Sequence, residues 1–181
     1  MDLAVKNRHA KNMTTQDKDM GVVWSGPGGS LEKLLAVDAG VRTGLALFGA
    51  DGKLLWCRSK NFGSLPCLKR GAATILRDIP GLERLVVEGF GTQAEPWRRE
   101  AGRLDLACNL VSAETWRREL LLARQQTSGS QAKLHAETLA RRVIERSGLS
   151  QPKSLRHDAA EAVCLGLWAV THLAWKNTVR S

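Results

Sequence analysis

Two short apolar runs that each close on an acid set the tightest limit on what this chain can fold into: Leu34-Leu35-Ala36-Val37-Asp38 and Leu85-Val86-Val87-Glu88. Neither is long enough for a helix, and neither alternates as a half-exposed strand does, so both are expected as buried strands. Ala39-Gly40 follows the first and Gly89 the second, turning the chain away directly after the acid. A sheet built on them must be covered on both faces while holding carboxylates at its strand ends.

The remaining pattern supplies the cover. Residues 43–48 read as a second strand, Ala50-Asp51-Gly52 as a hairpin turn, and residues 53–58 as the returning strand. Helical spacing over 68–79 stops before Pro80-Gly81. An irregular stretch through Pro96 precedes a helix at 98–107, a fifth strand at 108–111 and a helix at 114–122. A loop over 124–130 leads to a long amphipathic helix at 131–146, ended by Gly148, and a closing helix spans roughly 157–174. Three meandering strands, then strands alternating with helices, predict an α/β chain with a five-stranded mixed sheet flanked by helices, the order of the ribonuclease H-like architecture. No internal repeat is visible.

Composition narrows the function. With 181 residues the chain suits one domain, here 31–176, preceded by a flexible leader over 1–30 and followed by a short tail over 177–181. The leader is rich in Asn, Thr, Lys and Asp and ends in Ser-Gly-Pro-Gly-Gly-Ser, and it lacks the apolar core of a signal peptide. No apolar stretch is long enough to span a bilayer, so no membrane is expected. Removing the first thirty residues takes away four Lys/Arg against three Asp, so the net charge of +9 falls only to +8. The excess belongs to the domain and suits a polyanion such as nucleic acid. Four cysteines, none in a C-x-x-C pair, fit a reducing compartment and no structural zinc. A cytoplasmic, nucleoid-associated location is expected, with an organellar matrix or stroma as the alternative.

The acids carry the chemistry. If the strands ending at Asp38 and Glu88 are neighbours, their carboxylates lie side by side, and Asp158 and Glu161, three apart on the closing helix, share a face that can complete a four-acid pocket. Singly each has an ordinary explanation: a turn residue at Asp38, a solvated strand end at Glu88, a cap at Asp158, a complement to the helix dipole at Glu161. Together they form a set that repels itself unless a cation is present. Mg²⁺ is the expected ion, because it takes hard oxygen ligands and leaves room for waters and phosphate oxygens. Two ions about 4 Å apart can activate water and stabilise the leaving oxyanion of a phosphodiester.

The same residues resemble the RuvC-type Holliday-junction resolvases. Leu35-Ala36-Val37-Asp38-Ala39-Gly40-Val41-Arg42-Thr43-Gly44 is similar to that family's first-strand motif, Val86-Val87-Glu88 to its second, and His157-Asp158-Ala159-Ala160-Glu161-Ala162 to its final-helix motif. Val111 to Arg117, a Gly/Ser-rich loop and Lys133 fall where the family has a strand, a helix and a basic DNA-facing segment. The likeness covers about 33–175. Ala39 stands where the family usually has proline, Glu161 where it commonly has a second aspartate, and the 89–97 segment matches loosely. The resemblance implies paired nicking of four-way DNA junctions by a homodimer with two Mg²⁺ or Mn²⁺ ions per site, consistent with a two-fold substrate. The helix at 98–107 is the candidate dimer interface.

For DNA contact, Phe90 and Trp97 are candidate stacking rings, with core packing as the alternative for Phe90. Arg98, Arg117, Arg118 and above all Lys133 are candidate phosphate contacts. His157 is either an accessory to Asp158 or a capping residue. Trp116, Trp168 and Trp175 read as core or interface by helical spacing. Two other readings stand beside the resolvase: a related nuclease acting on RNA, an RNA–DNA hybrid or other branched DNA, and a non-catalytic nucleic-acid-binding module.

Overall fold

Side-chain alternation along the strands divides the core into two layers with the sheet between them. The computed structural model describes residues 32–122, 125 and 128–173. The expected leader, the tail, Trp175 and part of the 124–130 loop lie outside them. The strands are β1 (Lys33–Asp38), β2 (Arg42–Gly49), β3 (Leu54–Asn61), β4 (Leu82–Glu88) and β5 (Ala107–Val111). They form one sheet in the order β3-β2-β1-β4-β5, antiparallel from β3 to β1 and parallel from β1 to β5. The expected five-stranded mixed sheet is present, and the strands that end in Asp38 and Glu88 are neighbours.

Five helices flank it: α1 (Leu65–Arg77), α2 (Glu95–Arg103), α3 (Ala113–Leu120), α4 (Gly129–Arg146) and α5 (His157–His172). Leu35, Val37, Leu85 and Val87 face the layer that contains Leu68, Ile75 and Leu76 of α1 and Trp97 and Ala101 of α2. Leu34, Ala36, Phe48 and Val86 face the other, which contains Trp116 of α3, Ile144 of α4 and nearly the whole of α5. From Ala159 to Ala169 every residue of α5 is buried, as befits a helix apolar all round. Its acids stand near its start, Asp158 in the first turn and Glu161 one turn further.

The helix expected at 98–107 is displaced. It starts at Glu95 and ends at Arg103. Proline is at home in a first helical turn, where its missing N–H costs nothing, so Pro96 marks a beginning and not a break. At the other end Asp105 adopts a positive φ of 55°, which stops the helix and leaves Ala107 to open β5. Pro66 plays the same part in α1, beside the N-cap Ser64. Among the described residues no helix is long and apolar enough to cross a membrane.

Candidate active site

Strand register assembles the site before any helix is considered. Asp38 pairs with Glu88 across the parallel β1–β4 ladder and with Gly44 across β1–β2. Gly44 in turn pairs with Ser59, and Glu88 with Val111. The row Ser59, Gly44, Asp38, Glu88, Val111 therefore crosses all five strands at one end of the sheet. Its members share the parity of Ala36, Ala46, Cys57 and Val86, which face α5. Ala39 N donates to Glu88 O at 3.2 Å and Gly89 N to Val111 O at 2.9 Å, which ties the strand ends together just past the acids.

The Thr-Gly that follows β1's turn has a mechanical role. Thr43 Oγ1 donates to Gly40 O at 2.5 Å and closes the turn. Gly44 clears the way for α5: a Cβ there would stand 1.8 Å from the Asp158 carbonyl oxygen. This close approach lowers the first turn of α5 onto the row. Asp158 then accepts hydrogen bonds from Ser59 Oγ and, at 3.1 Å, from Ala159 N. Glu161, one turn further, is only 9% exposed, as is Glu88.

Helix α3 delivers partners for both buried glutamates. Trp116 Nε1 donates to Glu88 Oε2 at 2.5 Å, and Arg117 Nη2 lies 2.5 Å from Glu161 Oε1. The Arg117 guanidinium also lies 5.1 Å from the Trp116 ring centroid. Burial pushes the Asp38 carboxyl up to about 8, helped by the negative charges of Glu88, Glu161 and Asp158 and opposed by Arg117. Glu88 is raised as well, chiefly by burial, with the Trp116 hydrogen bond working against it. Asp38 thus feels all three of the other acids, which is the convergence expected from the sequence.

The donor set suits a hard cation, since it offers only carboxylate oxygens. Yet among the described residues no three His, Cys, Asp or Glu side chains converge closely enough to ligate one ion as they stand. The cause is visible: Arg117 holds Glu161, Trp116 holds Glu88 and Ser59 holds Asp158. The residues fit a divalent cation in charge and chemistry, and their side chains must turn from these partners to bind one.

The other expected site residues are distributed unevenly. Phe90 is 64% exposed between Gly89 and Gly91, both at positive φ. Lys133 is exposed near the start of α4, and His157 is exposed at the first position of α5. Arg118 is exposed, 3.8 Å from Glu119. Three expectations need correction. Trp97 is fully buried, set edge-on to Phe62 in the layer opposite the acids, so its faces are closed to a base. Arg98 belongs to that same opposite layer's helix and is paired with Glu95 at 2.8 Å. Arg117 lies among the acids as a counter-ion and not on an open DNA-facing surface. Ser59 and Trp116 went unrecognised as site residues. The alternation of β3 leaves Ser59 ambiguous without its register to Gly44, and a tryptophan at helical spacing reads as core, which Trp116 also is.

No protein-family model matches the chain, and no curated protein matches it in sequence. Among solved structures, T. thermophilus RuvC in complex with a Holliday junction substrate superposes with a TM-score of 0.59 at 13% identity, covering 78% of this chain and 94% of that one. The catalytic core domain of BIV integrase gives a TM-score of 0.32 at 9% identity, over 78% of this chain and 83% of that one, a likeness too loose to argue from. Strand order, flanking helices and the first superposition agree: the chain has the ribonuclease H-like fold.

Proposed function

We propose that this protein is a metal-dependent endonuclease that cuts branched DNA, with Asp38, Glu88, Asp158 and Glu161 as the metal-binding acids. One observation supports it above the others: Asp38 and Glu88 stand in register on the face covered by α5, which adds Asp158 from its first turn and Glu161 from its second, and the Asp38 carboxyl is raised to about 8. Buried acids this close are costly in a purely structural role, and a divalent cation removes the cost.

When bound, Mg²⁺ or Mn²⁺ ions, two per site, supply an activated water and charge stabilisation at a phosphodiester. The chain's own residues position the parts. Asp38 and Glu88 are fixed by the strand ladder, Asp158 by Gly44 and Ser59, and Glu161 by the rigid, buried α5. Phe90 offers an exposed ring directly beyond Glu88 for an unpaired base, and Lys133 an exposed cation for phosphate. Four-way junctions are the leading substrate, because the solved RuvC is bound to such a junction and its fold is shared; a homodimer is the expected form, because two sites related by a two-fold axis suit a two-fold substrate.

The Arg117–Glu161 pair favours a second reading, a nucleic-acid-binding module without catalysis in which arginine stands permanently in place of a metal ion. Cleavage of synthetic junction, flap, duplex and hybrid substrates, with and without Mg²⁺, separates the two. Metal-dependent products that vanish in Asp38→Asn, with binding retained, support the nuclease. Binding without product under every metal supports the module, and cutting confined to RNA or hybrid moves the substrate class.

A further inference from the structure

No acid occurs from Gly52 to Arg77, a stretch that builds β3 and α1 and carries six cations. Four of them, Arg58, Lys60, Lys69 and Arg70, are exposed. Arg58 and Lys60 alternate with Ser59 and share the face of Trp56, which packs in the layer opposite the acids. Each lies over a ring: the Arg58 guanidinium 4.5 Å from the Trp56 centroid, and Lys60 Nζ 5.4 Å from that of Phe62. Phe62 also seats α1, since a Cβ at Gly71 would stand 2.1 Å from its ring. Leu68 and Ala72 turn into the core there, which leaves Lys69 and Arg70 on the outer side of the helix. Strand and helix together present one basic belt.

The belt is ordered without being neutralised. Among the described residues none of the four is paired with a carboxylate, whereas Arg77, at the end of α1, is held by Glu100 at 2.6 Å. Ring contact fixes Arg58 and Lys60 and keeps their N–H groups open to an anion. Arg70 Nη2 lies 3.3 Å from the Cys67 sulfur, a weak acceptor that leaves its charge in place. Unpaired like charges repel one another, so the arrangement costs the free protein stability and suits a polyanion. The belt also reaches the site. Arg42, exposed where β2 leaves the acid end of the sheet, pairs with Asn61 beside Lys60. Exposed cations stand on the acid side too, at Lys133, Arg142 and Arg156, so Arg42 links two basic surfaces around one end of the sheet.

We propose that the β3–α1 belt holds the phosphate backbone of a duplex arm that leaves the acids past Arg42 and runs along the opposite layer. The proposal rests on the nucleic-acid part of the reading above and adds a second contact surface to it. A strand spacing plus a helix diameter give the belt a width of about 15 Å. A duplex carries one charge per ~1.7 Å of its axis, so four cations over that width meet several phosphates at once. A branch point supplies the change of direction that an intact duplex resists. An acidic protein segment is the rival occupant. Lysine is depleted from the cores of protein interfaces and common at phosphate contacts, which favours the nucleic acid.

The test is fluorescence anisotropy of a labelled four-way junction with the full-length chain carrying Asp38→Asn. It is measured alone, with Lys60→Gln and Arg70→Gln together, and with Lys53→Gln and Arg146→Gln together. The last pair removes the same charge at the other end of the sheet, where Leu54 N donates to Ser147 Oγ at 3.0 Å. Loss of both belt contacts should weaken binding roughly 100-fold near 0.1 M salt and flatten the slope of log K against log salt by about 2. The distant pair should change neither. An equal loss with the distant pair, an unchanged slope for the belt pair, or belt-dependent capture of polyglutamate in preference to DNA overturns the proposal. If the belt pair lowers the melting temperature, Lys69→Gln with Arg70→Gln, which disturbs no ring contact, reads the same slope change. Normal junction binding by the belt variant, while the unmodified chain cuts, sinks the belt alone. Failure of the unmodified chain to bind or cut any nucleic acid sinks both readings.

Discussion

Arg117 Nη2 stands 2.5 Å from Glu161 Oε1, so the carboxylate cluster already holds one cation of its own. Glu161 and Arg117 retain only 12% and 25% of their side-chain exposure. The pair is well desolvated, and removing one member leaves the other's charge stranded.

Arg117→Gln should therefore lower the stability of the metal-free protein by about 1–3 kcal/mol. Mg²⁺ should restore more of the melting temperature in this variant than in the unmodified chain, because it then meets no resident competitor. Thermal unfolding with and without Mg²⁺ checks both halves. An unchanged melting temperature without metal would show that the pair contributes nothing.

The raised Asp38 carboxyl makes metal binding pH-dependent. Its folded-state value of about 8 lies above its ordinary 3.8, so the metal-free fold binds this proton more tightly than the unfolded chain does. That contribution to stability is fully present below about 3.8 and is lost as pH rises through about 8. Metal ligation needs the carboxylate, so Mg²⁺ uptake at pH 7 should release close to one proton from this group, and the release should fade above pH 8. Calorimetric titration in buffers of differing ionisation enthalpy counts the protons. Asp38→Asn should remove this group's share of the pH slope in metal-free stability.

Ser59 acts through Asp158 and is a positioning residue. Ser59→Ala leaves the Asp158 carboxylate without that donor. Loss of such an outer partner weakens metal affinity or activity by about 10–100-fold. The Mg²⁺ concentration for half-maximal cutting should rise while the fold, judged by circular dichroism, is retained. Ser59→Thr keeps the hydroxyl and should recover most of the affinity. Loss of fold in Ser59→Ala would instead assign the residue to structure.

Phe90 and Trp97 lie in one segment and should respond in opposite ways. Phe90 is 64% exposed, so Phe90→Ala should leave stability within about 0.5 kcal/mol while weakening binding to a junction by about 1–3 kcal/mol. Trp97 is fully buried, so Trp97→Ala should destabilise by about 3–5 kcal/mol. Urea unfolding and junction binding, measured on both variants, test the pair of assignments. Equal stability loss in both would place Phe90 in the core.

Much of this arrangement is legible in residue order. The apolar runs ending at Asp38 and Glu88 become β1 and β4 as expected, and the spacing of Asp158 and Glu161 puts both in the first turns of α5. Local signals failed where one residue type serves two purposes. Proline starts helices as readily as it ends them, which misplaced α2, and an aromatic or arginine in a helix looks alike whether it meets solvent or an acid. Trp97, Arg98 and Arg117 differ from expectation for that reason, and Trp116 is the core residue its spacing predicts with a hydrogen bond to Glu88 added.

The sequence by itself determined which acids are available, the class of fold and the basic excess, because hydrophobic period and turn chemistry act over a few residues. Only the tertiary structure decided that Ser59, Gly44, Asp38 and Glu88 form one row, that Gly44 lets Asp158 descend onto it, and that Trp116 and Arg117 hold the glutamates. Strand register and helix docking are long-range contacts, selected by how whole surfaces pack, and no short window of residues encodes them.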